Sequence, residues 1–193
     1  TQLAKVQYQS RLAESRQILC DQYRVLSRLL QNLAEPSQAQ AEPDQYAPEL
    51  GFRATGLRGS NISGDYGASF RAGEWYYLLL CDGMGSGEEA RNEAMGTSAL
   101  LKELIESGLE AHDAMQTING LYILRDGGGF SAIDLLQVSL VSAEGFLHKW
   151  GAAPSFLKFG RTLQTLGSPL PPPGLGVGRS YGPACIRVSL QRG

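Results

Sequence analysis

Apolar residues near the start of the chain recur at heptad spacing. From Leu3 to about Ala34 the sequence contains no Gly or Pro, so nothing interrupts a helix. The apolar positions that share the spacing are Leu12, Leu19, Tyr23, Leu26, Leu30 and Leu33. Charged and amide residues fill the remaining positions, which predicts one long helix with a single apolar seam. This seam could pair with a second helix or pack on the rest of its own chain.

The composition changes between Glu35 and Pro48, where Pro, Gln, Ala, Ser and acidic residues predominate. Such a segment buries little apolar surface, and its prolines block continuation of the helix. We therefore expect three parts: a helix at 1–35, a linker at 36–48 and a globular domain at 49–193. A helix tethered in this way is typical of regulatory or dimerising appendages.

The globular part opens with a predicted strand at Leu50–Gly56, followed by a loop that ends at Ser63–Gly67, and alternation resumes at Ala68–Arg71. A turn at Gly73 then precedes the unbroken apolar run Tyr76–Cys81, which predicts a strand buried on both faces. The run ends at Asp82, which is followed by alternating glycines. A carboxylate seldom lies buried without a partner, so Asp82 is expected to have a cation or several donors beside it.

The remaining pattern is helical first and extended afterwards. Helices are predicted from Gly87 to Gly108 and from about Ala111 to Leu124. The predicted later strands are Phe130–Val141, Gly145–Gly151, Ser155–Phe159 and Ala184–Leu190. The Pro-rich segment 168–174 is expected to form a rigid surface loop, with a proline-recognition motif as the alternative. This order of elements predicts an α+β fold in which helices pack on a mostly antiparallel sheet.

The two strands before the first of these helices carry one acid each, Asp65 at the start and Asp82 at the end. A hairpin would place the two acids side by side. Two adjacent carboxylates repel unless one is protonated or a divalent cation lies between them, and magnesium and manganese prefer oxygen ligands. The alternative is local: Asp in a glycine-rich turn often accepts hydrogen bonds from nearby backbone N–H groups.

Charge and composition exclude several function classes. The formal net charge is −2, so no basic excess suggests nucleic acid or an anionic membrane. No apolar run is long enough to span a bilayer and the N-terminus is polar, so we expect a soluble, cytoplasmic protein. Cys20, Cys81 and Cys185 lack paired spacing, which favours reduced thiols over a metal site, a disulfide or a catalytic cysteine. We expect His112 on the surface and His148 in the sheet.

Four motifs in order resemble one known family. They are Ser63-Gly64-Asp65, Cys81 to Ala90 (CDGMGSGEEA), Phe130 to Leu135 (FSAIDL) and Gly151 to Phe156 (GAAPSF). Together they are similar to the phosphatase domain of stage II sporulation protein E, in the bacterial branch of the metal-dependent serine/threonine phosphatases of the 2C class. The resemblance covers about residues 51–190. The preceding helix also resembles the family's linker helix, which is associated with regulation and self-association.

The resemblance implies a two-layer, mostly antiparallel β-sandwich flanked by helices, with two manganese or magnesium ions at one end. Asp82 would bridge the ions, the Gly83 carbonyl would bind one of them, and Asp65 would join directly or through water. Metal-activated water would then attack a phosphoserine, with Asp82 and Asp65 as the catalytic residues. Arg58 is a weaker candidate for binding the phosphate.

The resemblance also implies a substrate and a setting. The partner would be a phosphorylated anti-sigma factor antagonist, whose dephosphorylation frees a sigma factor during sporulation. A homodimer through the N-terminal helix is a further expectation. If the full-length protein is membrane-anchored, this domain would lie on the cytoplasmic side.

Two departures from the family pattern affect these expectations. The family continues into a second Ser-Asp-Gly motif and a further Asp that supply metal ligands, whereas this sequence stops at Gly193. We therefore expect weak or partial metal occupancy in this chain, which tight two-site binding in a manganese titration would contradict. In addition, the segment Gly167–Gly178 is richer in Pro than the family pattern.

Two other functions compete with the phosphatase. A glycine-rich turn between a strand and a helix also begins a dinucleotide site. That site requires a parallel strand and an acid about twenty residues further on, where this chain is predicted to be helical. The second alternative is a non-catalytic, phosphatase-like interaction module, in which the helix controls assembly and the acid pair is vestigial.

Overall fold

The computed structural model describes residues 2–34, 43–56, 61–125, 129–167, 170–175 and 182–190. The helices are α1 (Gln2–Ala34), α2 (Gly87–Glu106) and α3 (Ala111–Leu124). The strands are β1 (Asp65–Ala72), β2 (Trp75–Gly83), β3 (Ser131–Ser139), β4 (Glu144–Trp150), β5 (Ser155–Phe159), β6 (Thr162–Leu166) and β7 (Ala184–Ser189). The predicted α+β class is confirmed.

Five strands form one sheet in the order β1-β2-β3-β4-β7, and every neighbouring pair is antiparallel. The β1–β2 hairpin closes at the pair Ala72 and Trp75, so its loop consists of Gly73 and Glu74. Gly73 adopts a φ of +60°, which only a few residue types tolerate in a tight turn. The open end of the hairpin, at Asp65 and Asp82, lies at the strand ends opposite this turn.

Helices α2 and α3 cover one face of this sheet. The alternating β2 residues Tyr77, Leu79 and Cys81 are buried on this face. They pack with Leu101 of α2 and Met115 of α3, both fully buried, in the main hydrophobic core. The helical and strand periods seen in the sequence thus describe two surfaces that meet in the same core.

Among the described residues, the two-stranded sheet β5–β6 covers part of the opposite face. The second core consists of Leu147, Leu166 and Val188, with Leu157 packed against it. Since these residues lie on β4, β6, β7 and β5, the small sheet covers the β4–β7 side. Leu80 on β2 is 42% exposed, so the prediction that this strand is buried on both faces is wrong.

The long helix α1 packs on α3. Ile18 lies against Gly120, and Val25 and Leu29 join the edge of the main core. Arg28 forms an ion pair with Asp113 near the start of α3.

The face of α1 that contacts α3 is not the predicted heptad seam. The four seam residues whose side chains are described, Leu19, Tyr23, Leu26 and Leu30, are 50% to 69% exposed. The side chains of Leu12 and Leu33 lie outside the described residues, as do residues 35–42 of the predicted linker. The helix therefore has two apolar faces, of which α3 contacts one.

Other predictions differ from the structure in detail. Leu50–Gly56 is irregular rather than a strand, and the Phe52 ring lies where a Cβ on Gly67 would be. Strand β6 was not predicted, because four of its five residues are exposed and give no apolar alternation.

The described part of the Pro-rich segment is not a surface loop. Pro173 is fully buried, and Pro172 lies against Gly151, which has no room for a Cβ. The Gly174 N–H donates to Asn119 Oδ1 at 2.8 Å, so α3 holds this segment in place. Residues 168 and 169 lie outside the described part of the chain. Within that part, none of the helices has the length and hydropathy needed to cross a membrane.

Candidate metal centre

Asp65 and Asp82 lie directly opposite each other at the open end of the β1–β2 hairpin. The Gly83 N–H donates to the Gly64 carbonyl at 3.3 Å, so the next pair inward, Asp65 and Asp82, is a non-hydrogen-bonded pair. In such a pair the Cα atoms are about 4.5 Å apart and the side chains approach each other most closely. The prediction that the hairpin brings these two acids together is confirmed.

The two carboxylates are electrostatically linked. The pKa of Asp82 is raised, first by partial burial and then by the charge of Asp65 and a hydrogen bond with it. A proton shared between the two groups relieves their repulsion, and a divalent cation would relieve it more completely. The Asp82 side chain is exposed, unlike the buried carboxylate expected from the sequence, so a ligand can reach it from solvent.

Asp65 is also held by its own turn. The Ser63 hydroxyl donates to Asp65 Oδ2 at 3.0 Å, and the Asp65 N–H donates back to Ser63 Oγ at 3.2 Å. Ser63 is buried, so its hydroxyl group is shielded from water at this side of the ring. The turn interpretation therefore describes Asp65 correctly, and it is compatible with a ligand role because Asp65 Oδ1 takes no part in the ring.

Arg91, which no sequence motif marks, contacts the same corner of the molecule, where the open end of the β1–β2 hairpin meets the first turns of α2. Its Nη1 donates to the Asp65 backbone carbonyl at 3.2 Å, and its guanidinium lies 5.7 Å from the centre of the Tyr66 ring. The contact joins the first turns of α2 to the start of β1. Its position on the polar side of an amphipathic helix gave no signal of this role.

The loop after Asp82 is closely packed against its neighbours. A Cβ on Gly83 would collide with the Ala90 carbonyl of α2, so no other residue fits there. The Met84 N–H donates to the Phe130 carbonyl at 2.8 Å, and Gly85 and Gly87 adopt φ values of +98° and +78°. These contacts fix the backbone that leads from Asp82 into α2.

The oxygen donors at this corner are the carboxylates of Asp65 and Asp82 and the backbone carbonyls beside them. Within the described ranges, no group of three or more His, Cys, Asp or Glu side chains is placed to hold a metal. The two acids are thus of the ligand type that a divalent cation prefers, and they would supply part of its coordination sphere. The phosphate-binding candidate Arg58 lies outside the described residues.

The other candidate residues do not join this corner. Cys81 is fully buried beside Asp82, and burial raises the pKa of its thiol, which argues against a thiolate nucleophile. Cys20 and Cys185 are free and exposed. His112 is exposed, as predicted, and His148 is buried in the sheet.

Comparison with known proteins gives a consistent result. No protein-family model matches the chain. Stage II sporulation protein E of Priestia megaterium is 35% identical over an alignment of 130 residues, and the match covers 65% of this chain and 22% of that protein. The chain therefore spans about a fifth of the length of this relative.

Solved structures share the fold. The PP2C phosphatase domain of SpoIIE from Bacillus subtilis, solved with a fragment of its regulatory domain, is 30% identical with a TM-score of 0.61. The match covers 72% of this chain and 40% of that one. RsbX, solved in complex with magnesium, shares the fold alone, at 14% identity and a TM-score of 0.53 over 73% of this chain and 67% of that one. By sequence and by fold, the chain is thus similar to the phosphatase domain of stage II sporulation protein E, a domain of the PP2C type.

Proposed function

We propose that this chain is part of a metal-dependent protein phosphatase that hydrolyses phosphoserine, with Asp65 and Asp82 as metal ligands. The observation that carries the proposal is the direct opposition of these two carboxylates beside the closely packed Gly83 backbone. The similarity to PP2C phosphatase domains supports it.

Each residue of the corner has a separate task in this proposal. Asp82, exposed at a strand end, binds the cation, and Asp65 joins through the carboxylate that Ser63 orients. The Gly83 carbonyl is the proposed backbone ligand. A divalent cation at this position would lower the pKa of bound water and offset negative charge on the phosphate. Arg91 keeps α2 and β1 together and so keeps Asp65 in place.

The cation is proposed to be Mg²⁺ or Mn²⁺, because both prefer carboxylate and carbonyl oxygens. The magnesium complex of the fold neighbour RsbX is in keeping with this choice. Two ions are expected for a complete PP2C domain.

The proposed substrate is a phosphorylated anti-sigma factor antagonist, and the proposed process is control of a sporulation sigma factor. This assignment rests on the resemblance to stage II sporulation protein E.

We also propose that α1 mediates homodimerisation. Its outer face presents Leu19, Tyr23, Leu26 and Leu30 to solvent at the spacing of a helix-pairing seam. A second copy of the helix would bury these residues, while the Val25 face remains on α3. The matching linker helix of the family is the basis for choosing a second copy over another partner.

The dinucleotide alternative does not fit the structure. Strand β2 is antiparallel to both of its neighbours, β1 and β3, whereas a dinucleotide site needs parallel strands around the glycine-rich turn. The non-catalytic interaction module remains the second candidate, because the exposed face of α1 would serve it equally well.

The deciding experiment measures phosphate release from a phosphoserine protein, with and without manganese. We expect manganese-dependent release by the wild type and at least a hundredfold slower release by Asp82→Asn. The matched control is Asp44→Asn, which removes a carboxylate bound to Arg71 on the same hairpin but away from the acid pair. Release that is equal in Asp82→Asn and the wild type would disprove the proposal, and no release by either would favour the module.

A further inference from the structure

We propose that Tyr122 is a positioning residue for the strand ends that carry Asp82 and Gly83, an inference that rests on the proposed function for its catalytic meaning. Tyr122 lies near the end of α3 and is remote in sequence from both acids. Its hydroxyl group joins α2, α3 and β3 at the point where β3 begins beside Gly83.

The Tyr122 hydroxyl uses both of its hydrogen-bonding capacities. It accepts the backbone N–H of Ser131 at 3.1 Å, and it hydrogen-bonds to Thr97 Oγ1 of α2. Since Thr97 Oγ1 donates to the Glu93 carbonyl at 2.8 Å, the proton between Thr97 and Tyr122 belongs to the tyrosine. Thr97 and Ser131 are buried, so water does not replace these bonds.

Ser131 links this network to the candidate metal centre. It is the first residue of β3 and lies directly opposite Gly83, with Ala132 opposite Asp82. The preceding residue, Phe130, accepts the Met84 N–H at 2.8 Å. Ser131, whose N–H the Tyr122 hydroxyl accepts, is therefore paired with Gly83 and lies next to the hydrogen bond that fixes Met84.

Tyr122 is itself held by two neighbours. The Arg125 guanidinium lies 6.0 Å from the ring centre and pairs with both carboxylate oxygens of Glu93, at 2.7 and 3.3 Å. Gly174 packs so closely that an added Cβ would lie 2.7 Å from Tyr122 Cβ. These contacts restrict the rotamer of Tyr122, so its hydroxyl group is held within hydrogen-bond distance of the Ser131 N–H.

Arg125, Glu93 and Gly174 could hold the ring equally well in a phenylalanine. The hydroxyl group alone provides the bond to Ser131 and the bond to Thr97. Replacing Tyr122 by Phe would leave the buried Ser131 N–H, at the start of β3, without its acceptor, and would remove one hydrogen bond of Thr97 Oγ1. We therefore expect the end of β2 and the start of β3 to open locally while the rest of the core stays folded.

The test compares Tyr122→Phe with Tyr77→Phe in the metal-free chain. Tyr77 is also buried and aromatic, but it stacks on Phe70 towards the other end of β2. We expect amide hydrogen exchange at Gly83, Met84 and Ser131 to become about five- to tenfold faster in Tyr122→Phe and to stay within twofold in Tyr77→Phe. Unchanged exchange in Tyr122→Phe, or equal acceleration in both variants, would overturn the proposal.

A second measurement addresses the catalytic meaning. The manganese concentration that gives half-maximal phosphate release should rise about three- to tenfold in Tyr122→Phe, with turnover at saturating manganese nearly preserved. A lower turnover at an unchanged manganese requirement would contradict positioning of the metal ligands. If the wild type releases no phosphate, the proposed function fails, and the exchange measurement still decides the role of Tyr122. If Tyr122→Phe does not fold, Thr97→Val removes one partner of the same hydroxyl and is assayed identically.

Discussion

Lys149 and Asp134 form an ion pair, with Nζ 2.5 Å from Oδ1, in which the lysine side chain is only 1% exposed. The ammonium group also donates to the Ala153 carbonyl and to Ser155 Oγ, both at 2.8 Å, so its three protons are all used. Ser155 Oγ in turn donates to Asp134 Oδ2 at 3.1 Å. The network ties β3, β4 and β5 together on the sheet face that also carries Asp82.

Because the pair is buried, removing one partner should be costly. Lys149→Met leaves the Asp134 carboxylate without its cation and is expected to lower the free energy of unfolding by about 3–5 kcal/mol. Urea denaturation measures the change. Arg187→Met, which removes an exposed ion pair with Glu144, serves as the control and should cost less than about 1 kcal/mol.

A double variant separates the buried charge from lost packing. Lys149→Met combined with Asp134→Leu removes both charges, so it should recover most of the stability that Lys149→Met loses. A double variant as unstable as the single one would show that the charge of Asp134 is not the cause.

The acid pair should oppose folding when no metal is present. The raised pKa of Asp82 means that the native state holds its proton more tightly than the unfolded state does. The stability that this proton contributes is complete below about pH 3.8, the ordinary value for Asp, and is lost as pH rises through the native pKa.

Asp82→Asn should therefore stabilise the metal-free protein at pH 7, by up to about 1 kcal/mol, and have no such effect at pH 3.5. Urea denaturation at the two pH values measures the difference. Asp44→Asn, which breaks an ion pair with Arg71, should instead destabilise slightly at pH 7. A destabilised Asp82→Asn protein at pH 7 without metal would contradict the repulsion inferred for the pair.

The elements with a strong period were predictable. Helices α2 and α3 and strands β2, β3 and β4 each carry a local pattern that burial in the two hydrophobic cores explains. The pairing of Asp65 with Asp82 was predictable for the same reason, since a two-residue turn at Gly73 sets the register of every position in the hairpin.

The contacts that depend on three-dimensional neighbours were not predictable. A lysine in a strand is ordinarily exposed, and the three acceptors of Lys149 explain its burial. Arg91 and Tyr122 reach the site from positions with no sequence motif. Ile18, Val25 and Leu29 share a helical spacing of their own and form the second apolar face of α1. The heptad seam is the more regular of the two patterns, so it was the face that the sequence predicted.

Gly83 and Gly96 should respond in opposite ways to the same substitution. Gly83→Ala places a methyl group against the Ala90 carbonyl, so we expect a loss of about 2 kcal/mol or more together with loss of metal-dependent phosphate release. Gly96→Ala lies in α2 with nothing within 4 Å and should stabilise by about 0.5–1 kcal/mol. Thermal unfolding of both variants checks the contrast. An unaffected Gly83→Ala protein would show that the contact with α2 is not rigid.

His148 should make the fold sensitive to acid. Burial, assisted by the positive charge of His112, lowers the pKa of His148 from 6.5 to about 4. Neither ring nitrogen has a hydrogen-bond partner among the described residues, so the neutral ring is the native form. The stability gained from keeping it neutral is complete above pH 6.5 and is lost as pH falls towards 4, by up to about 3 kcal/mol.

In His148→Phe this part of the acid dependence should disappear. Urea denaturation of wild type and variant at pH 7.5 and pH 4.5 isolates it, because other titrating groups contribute equally to both proteins. His112→Gln, at an exposed position, should retain most of the dependence. Parallel curves for wild type and His148→Phe would contradict the assignment.

The two apolar faces of α1 offer a matched pair of neighbouring residues. Leu26 is 51% exposed on the outer face, whereas Val25 packs at the edge of the core beside α3. Leu26→Lys should leave the free energy of unfolding of the monomer within about 0.5 kcal/mol and abolish self-association, because it places a charge in the proposed seam. Val25→Lys should destabilise by about 1–3 kcal/mol, since its charge would face the core. Sedimentation equilibrium and urea denaturation distinguish the two effects, and a dimer that persists in Leu26→Lys would exclude this seam as its interface.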